Sequence, residues 1–129
     1  MEKQKRTKFS GTVFFRDKQI IVNLFVIQFE DDNCRIAYCP ALNVYGYGKS
    51  EEEARSSFEV NLAEFFDYAI KKKTLECELE SLGWSASKGK KFTSPDFSSL
   101  LQSNKQLKNI MNTRNFSKID RSFTLPVAN

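Results

Sequence analysis

The chain has 129 residues, 40% of them hydrophobic and 28% charged, with twelve Phe, which suits one soluble domain with a core and argues against wholesale disorder. It contains no His, which excludes Ser-His-Asp triads, Cys-His dyads, His-based zinc sites and imidazole acid–base chemistry. The net charge of +4 is unevenly spread, since residues 1–19 carry +4, residues 20–84 carry −6 and residues 85–129 carry +6.

Residues 1–19 form a basic N-terminal arm with a β-prone stretch at 12–16, and Arg16-Asp17-Lys18-Gln19 suits a turn. Ile20 to Phe29 is rich in β-branched and aromatic residues and predicts a strand. Glu30-Asp31-Asp32-Asn33 is a polar turn that closes a hairpin onto Cys34–Cys39, and Pro40 ends that strand. Leu42 to Tyr47 predicts a third short strand. Gly46 and Gly48 bracket Tyr47, which points to a bend or a close backbone approach.

Ser50-Glu51-Glu52-Glu53 has the capping-box pattern, with three carboxylates in the first helical turn, where the helix dipole favours them. The cap accounts for these glutamates without a metal. Ala54, Phe58, Leu62, Phe65, Phe66, Ala69 and Ile70 recur at helical spacing and form one apolar stripe, and Lys71-Lys72-Lys73 closes the helix. The stripe is expected to cover one face of a three-stranded sheet. A second helix follows, capped by Thr74, lined by Leu75, Leu79 and Leu82 and ended by Gly83, with Trp84 as a packing anchor.

Ser85 to Lys91 reads as a flexible basic linker and as the best boundary in the chain. Beyond it, Ser94 at N-cap and Pro95 at N1 start a helical segment carrying Phe97, Leu100, Leu101, Leu107, Ile110 and Met111, with a break at Ser103-Asn104. Ile119, Arg121, Phe123, Leu125 and Val127 alternate as a C-terminal strand. The expected organisation is therefore a basic arm (1–19), an α+β module (20–84), and a basic linker, helices and strand (85–129).

The three cysteines, Cys34, Cys39 and Cys77, include no C-x-x-C pair. Reduced thiols are the plain reading, and they point to the cytoplasm. No apolar run is long enough to cross a membrane and no secretory signal is visible. Lys88, Lys90, Lys91, Lys105 and Lys108 make the tail a candidate for duplex DNA, through counterion release at phosphates. The plainer use of these charges is solubility and attraction to the acidic module within an oligomer. Ile119, Phe123, Leu125 and Val127 form a candidate oligomer interface, because an amphipathic strand must join some sheet edge, its own or a neighbour's. The tail's helical stripe exceeds what a small core needs, which also favours an oligomer.

The stretch Ile36-Ala37-Tyr38-Cys39-Pro40-Ala41-Leu42, followed by Gly48, Ser50 and Glu52-Glu53-Ala54, resembles the HicB-like antitoxin family. Thr74 to Trp84 is similar to the Thr-Leu…Leu…Gly-aromatic ending of one branch of that family. The resemblance covers about residues 20–84. It implies a β-β-β-α core, partly RNase H-like, and binding of a small HicA-type toxin that cleaves mRNA. It also implies frequent operator binding through a C-terminal helix-turn-helix or ribbon-helix-helix. The tail 92–129 follows neither pattern, since a ribbon-helix-helix puts its strand first and this strand comes last.

An RNase H-type nuclease needs carboxylates converging on metal ions, one of them expected in the first strand. Ile20 to Phe29 contains no acid, and Glu64 and Asp67 lie on the helix. No enzyme and no cofactor are expected. The expected function is an antitoxin-like binding protein whose acidic module docks a basic toxin, with DNA binding as an autoregulatory addition. The alternative is a stand-alone oligomeric structural or regulatory module without a toxin.

Overall fold

A computed structural model describes residues 10–16, 18–87 and 91–126. Among them, seven antiparallel strands and four helices make an α+β fold. Its axis is the 13-residue strand β2 (Gln19–Asp31). Four of its central residues, Phe25, Val26, Ile27 and Phe29, are apolar and buried. A strand that is apolar on successive positions is covered on both faces.

The C-terminal strand β7 (Phe116–Pro126) pairs with β2 continuously from Gln19 to Phe29 and so takes one whole edge. The other edge is shared end to end, by β1 (Thr12–Arg16) along Gln19–Asn23 and by β3 (Cys34–Cys39) along Ile27–Asp31. Strand β4 (Val44–Gly48) continues outward from β3. From β1 the sheet continues through β6 (Lys91–Thr93) to β5 (Ser85–Ser87). The β2–β3 hairpin turns on Asp32 and Asn33, both left-handed at φ 58° and 66°. That is the type I′ geometry that matches strand twist.

Helix α1 (Glu51–Lys71) lies on one face of the sheet. Paired antiparallel residues point to the same face, and this face carries Val22 and Phe123 in register. Phe58 meets Phe123 with ring centroids 5.9 Å apart. Ala54, Phe58, Leu62, Phe66 and Ala69 are buried, while Phe65 and Ile70 are only partly covered. Ser50 Oγ accepts the Glu53 N–H at 3.1 Å, as the capping box requires. The reciprocal bond goes one residue further back, where Glu53 Oε1 accepts the Lys49 N–H at 2.8 Å.

The end of α1 and the end of α2 (Leu75–Ser81) share one device. The Lys73 and Thr74 N–H groups donate to Ile70 and Ala69 carbonyls, and those of Gly83 and Trp84 to Glu80 and Leu79. Both are Schellman closures, with a left-handed residue at Lys73 (φ 60°) and Gly83 (φ 92°). Thr74 holds the N-cap position of α2 but makes no side-chain cap bond. Trp84 is buried, and its Nε1–H donates to the Ala41 carbonyl at 2.8 Å. It anchors the Pro40-Ala41-Leu42 corner, as expected of a packing residue.

The opposite face carries Phe25, Ile27 and Tyr38 and is covered by α3 (Phe97–Ser103) and α4 (Lys105–Thr113). Phe25 packs edge-on against Phe97 at 5.2 Å. Asn104 Nδ2–H donates to Tyr38 Oη at 2.9 Å, and Tyr45 Oη–H to Gln106 Oε1 at 2.6 Å. Leu100, Leu107 and Ile110 are buried in the same core. The tail's apolar stripe, expected to be surplus, is therefore used within the chain.

Three sequence expectations change. The Ser85–Lys91 segment begins and ends in paired strands, so all three parts of the expected organisation supply strands to one sheet. The N-cap of α3 is Asp96, whose side chain accepts the Ser99 N–H at 2.8 Å, and not Ser94. Ser94 Oγ is buried and already accepts the Gly11 N–H at 2.7 Å. Finally, the described residues form a seven-stranded sheet where the helix was expected to cover three strands, because the 12–16 stretch and the C-terminal strand join the same sheet and β5 and β6 extend it.

Candidate docking surface

The position of α1 is set by two glycines. A Cβ on Gly46 would lie 2.3 Å from the Phe58 amide nitrogen, and one on Gly48 would lie 2.4 Å from Glu53 Cβ. Their bareness lets the helix backbone rest on β4. The helix also closes β4's outer edge. Ser57 Oγ accepts the Tyr47 N–H at 3.1 Å, and Asn61 Nδ2–H donates to the Tyr45 carbonyl at 2.7 Å. The inner face is thereby committed, and the outer face of α1 is left to solvent.

That outer face is acidic. Glu51, Glu52, Glu53, Glu59, Glu64 and Asp67 are all exposed on α1, and Glu76 and Glu80 are exposed on α2. Some are engaged within the chain. Glu51 pairs with Arg35 at 2.8 Å, Asp67 pairs with Lys71 at 3.2 Å, and Glu53 caps the helix. Glu52, Glu59 and Glu64 make no ion pair among the described residues. Two large apolar side chains are also exposed on α1, Val60 at 58% and Tyr68 at 62%. Val60, Glu64 and Tyr68 follow at four-residue steps and so lie along one side of the helix. Lys72 Nζ sits 5.7 Å from the Tyr68 ring centroid. A shallow groove lined by Asn61, Glu64, Phe65, Asp67, Tyr68, Lys71 and Lys72 runs beside them.

Among the described residues, no group of three His, Cys, Asp or Glu is placed to hold a metal ion. Asp31, at the end of β2, pairs with Arg114 at 2.9 Å. The three cysteines form no disulfide. Burial pushes the Cys39 thiol up to about 12. Burial also raises the Tyr38 and Tyr45 hydroxyls, and for Tyr45 the neighbouring Tyr38 adds to the effect. Both phenols stay protonated as hydrogen-bonding groups.

The residues singled out in the tail that the structure describes lie on β6, α4 and β7. Lys88, Lys90 and Val127 lie outside the described residues. Lys91 is exposed on β6, on the β1 side of the sheet. Lys105 and Lys108 are exposed on α4, which is tied to β3 and β4 through Asn104 and Gln106. Phe123 is buried under α1, and Leu125 lines a cleft with Ile20, Ala63 and Phe66. Phe123 and Leu125 therefore serve the chain's own core, and Ile119 is half-buried beside Arg55 and Arg121. Sequence reading passed over Val60 and Tyr68. Their signal was an apolar pair eight residues apart, off the stripe that defines the core. No helix is long and apolar enough to cross a membrane.

No protein-family model, curated protein or solved structure matches this chain.

Proposed function

We propose that this chain is an antitoxin-like binding protein that neutralises a small, basic, HicA-type mRNA-cleaving toxin by docking it on the outer face of α1. The observation that carries the reading is the pair of exposed apolar residues, Val60 and Tyr68, with Glu64 between them on the same side of α1. Apolar anchors inside a charged rim are the usual anatomy of a protein interface. A field of one sign speeds encounter with an oppositely charged partner. The order β2-β3-β4-α1 supports the HicB-like, partly RNase H-like core within the reading. So does the close contact of α1 with Gly48, one of the residues that carry the resemblance.

The test is co-expression with any small basic protein that is encoded beside this gene. Relief of its growth arrest, and co-purification of the two proteins, is the expected result. Glu59→Lys with Glu64→Lys abolishes both, and Tyr68→Ala weakens the complex by about 2 kcal/mol or more. A neighbouring toxin that is neither bound nor inhibited overturns the proposal. The autoregulatory part of the reading rests on Lys88, Lys90, Lys91, Lys105 and Lys108. Its signature is duplex binding that falls steeply with salt, and no binding at low salt removes that part alone. The second reading, a stand-alone oligomeric module without a toxin, is favoured by the outer edge of β7.

A further inference from the structure

Among the described residues the sheet ends in three edges, and they differ. β4 is closed by Ser57 and Asn61 of α1. β5 is three residues long. β7 is 11 residues long and, among the described residues, pairs only with β2. On an antiparallel strand, backbone N–H and C=O groups point to alternate edges residue by residue. Tyr45 and Tyr47 point away from β3, and following the registers inward from them fixes the rest. Ser117, Ile119, Arg121, Phe123 and Leu125 bond to β2, while Phe116, Lys118, Asp120, Ser122 and Thr124 present their backbone groups outward. Such a row is a template for another strand.

We infer that the occupant is a second copy of the chain, joined by antiparallel β7–β7 pairing about a two-fold axis at Ile119. The inference goes beyond the docking proposal and uses a different surface. A two-fold axis normal to the sheet makes one residue its own partner. Centring on Asp120 or Arg121 would set like charges directly against each other, which is unfavourable. Centring on Ile119 sets Lys118 against the partner's Asp120, and Asp120 against the partner's Lys118. Both residues belong to the outward-bonding set, so these are hydrogen-bonded pairs. Within one chain, Lys118 Nζ already lies 3.4 Å from Asp120 Oδ1 and 5.0 Å from the Phe25 ring centroid. It is therefore held at this edge, where a second carboxylate would join it.

A further feature fits this register. Gln28 is 5% exposed, and its Oε1 has no hydrogen-bond partner among the described residues. It pairs with Ser117 of β7. The register sets the partner's Arg121 opposite Ser117, on the same face, with only a small side chain between the guanidinium and Gln28.

Sedimentation equilibrium of the full chain tests the inference. A monomer–dimer equilibrium is expected. Asp120→Lys sets ammonium groups against each other across the axis and weakens the dimer about tenfold or more. Lys118→Asp combined with Asp120→Lys restores the pair in reverse and recovers dimerisation. Ser122→Pro removes an outward N–H while leaving the bonds to β2, so it gives a folded monomer by circular dichroism. A chain that stays monomeric at high concentration overturns the inference. A dimer unaffected by Asp120→Lys overturns it too, as does a double variant no better than the single one.

Discussion

A methyl group at Gly46 would meet backbone on two sides, 2.3 Å from the Phe58 nitrogen and 2.5 Å from the Ala54 oxygen. No rotamer change relieves a clash with main chain, so α1 itself must shift. Gly46→Ala should cost about 3 kcal/mol or more in urea unfolding, at the upper end for overpacking. A loss under about 1 kcal/mol would show that the helix is less closely seated than this. Cys39 gives a second residue-scale test. Its thiol is held at about 12 against an ordinary value of 9.0, and the thiolate is the reactive form. At pH 9 iodoacetamide should label the exposed Cys77 and leave Cys39 unmodified until the chain unfolds. The sign of the stability effect follows from the raised value. The contribution is complete below pH 9 and is lost as pH climbs towards 12, because the unfolded thiol ionises first.

At the scale of elements, α1 separates residues that its helical periodicity treats as equal. Phe58 is 1% exposed under the helix, whereas Phe65 is only partly covered at the groove. Phe58→Ala should cost roughly 3–5 kcal/mol, and Phe65→Ala about half as much or less. Equal losses in denaturant melts would contradict the assigned orientation of the helix. The C-terminal closure of α1 offers a change of opposite sign. Lys73 sits at φ 60°, a left-handed conformation that costs a residue with a Cβ more than it costs glycine. Lys73→Gly should stabilise the fold by about 0.5–1 kcal/mol, read as a higher melting temperature. At Gly83, which fills the same position after α2, glycine already does this.

Across the whole molecule, the segment after Trp84 is structural. It supplies β7, the partner of β2 from Gln19 to Phe29, and the helices that cover Phe25 and Tyr38. Truncation after Trp84 should therefore leave a chain that binds hydrophobic dye and has lost its near-ultraviolet circular dichroism. It should not leave a folded core with a smaller mass per particle. A cooperative melt within a few degrees of the full chain's would show that residues 20–84 fold independently.

Local chemistry was enough to specify most of the elements, although β5 and β6 read as a linker. The β-branched run at 20–29, the Asp32-Asn33 turn, the Ser50 cap, the α1 stripe, the glycine at 83 and the break at Ser103-Asn104 all act within a few residues of themselves. Each was legible in the sequence because its cause is close by. What the sequence left open was decided by contacts between distant segments. Ser94 has the composition of a cap, but the Gly11 amide, 83 positions away in the chain, occupies its oxygen. The tail's apolar residues read equally well as an interface or a core until β7 paired with β2 and α3 and α4 settled on the second face. Val60 and Tyr68 became candidates for docking only once the other side of α1 was seen to be in use. The physical reason is the same in each case. Hydrophobic burial is non-directional, so a sequence shows which side chains must leave water, and the tertiary structure alone decides which surface receives them.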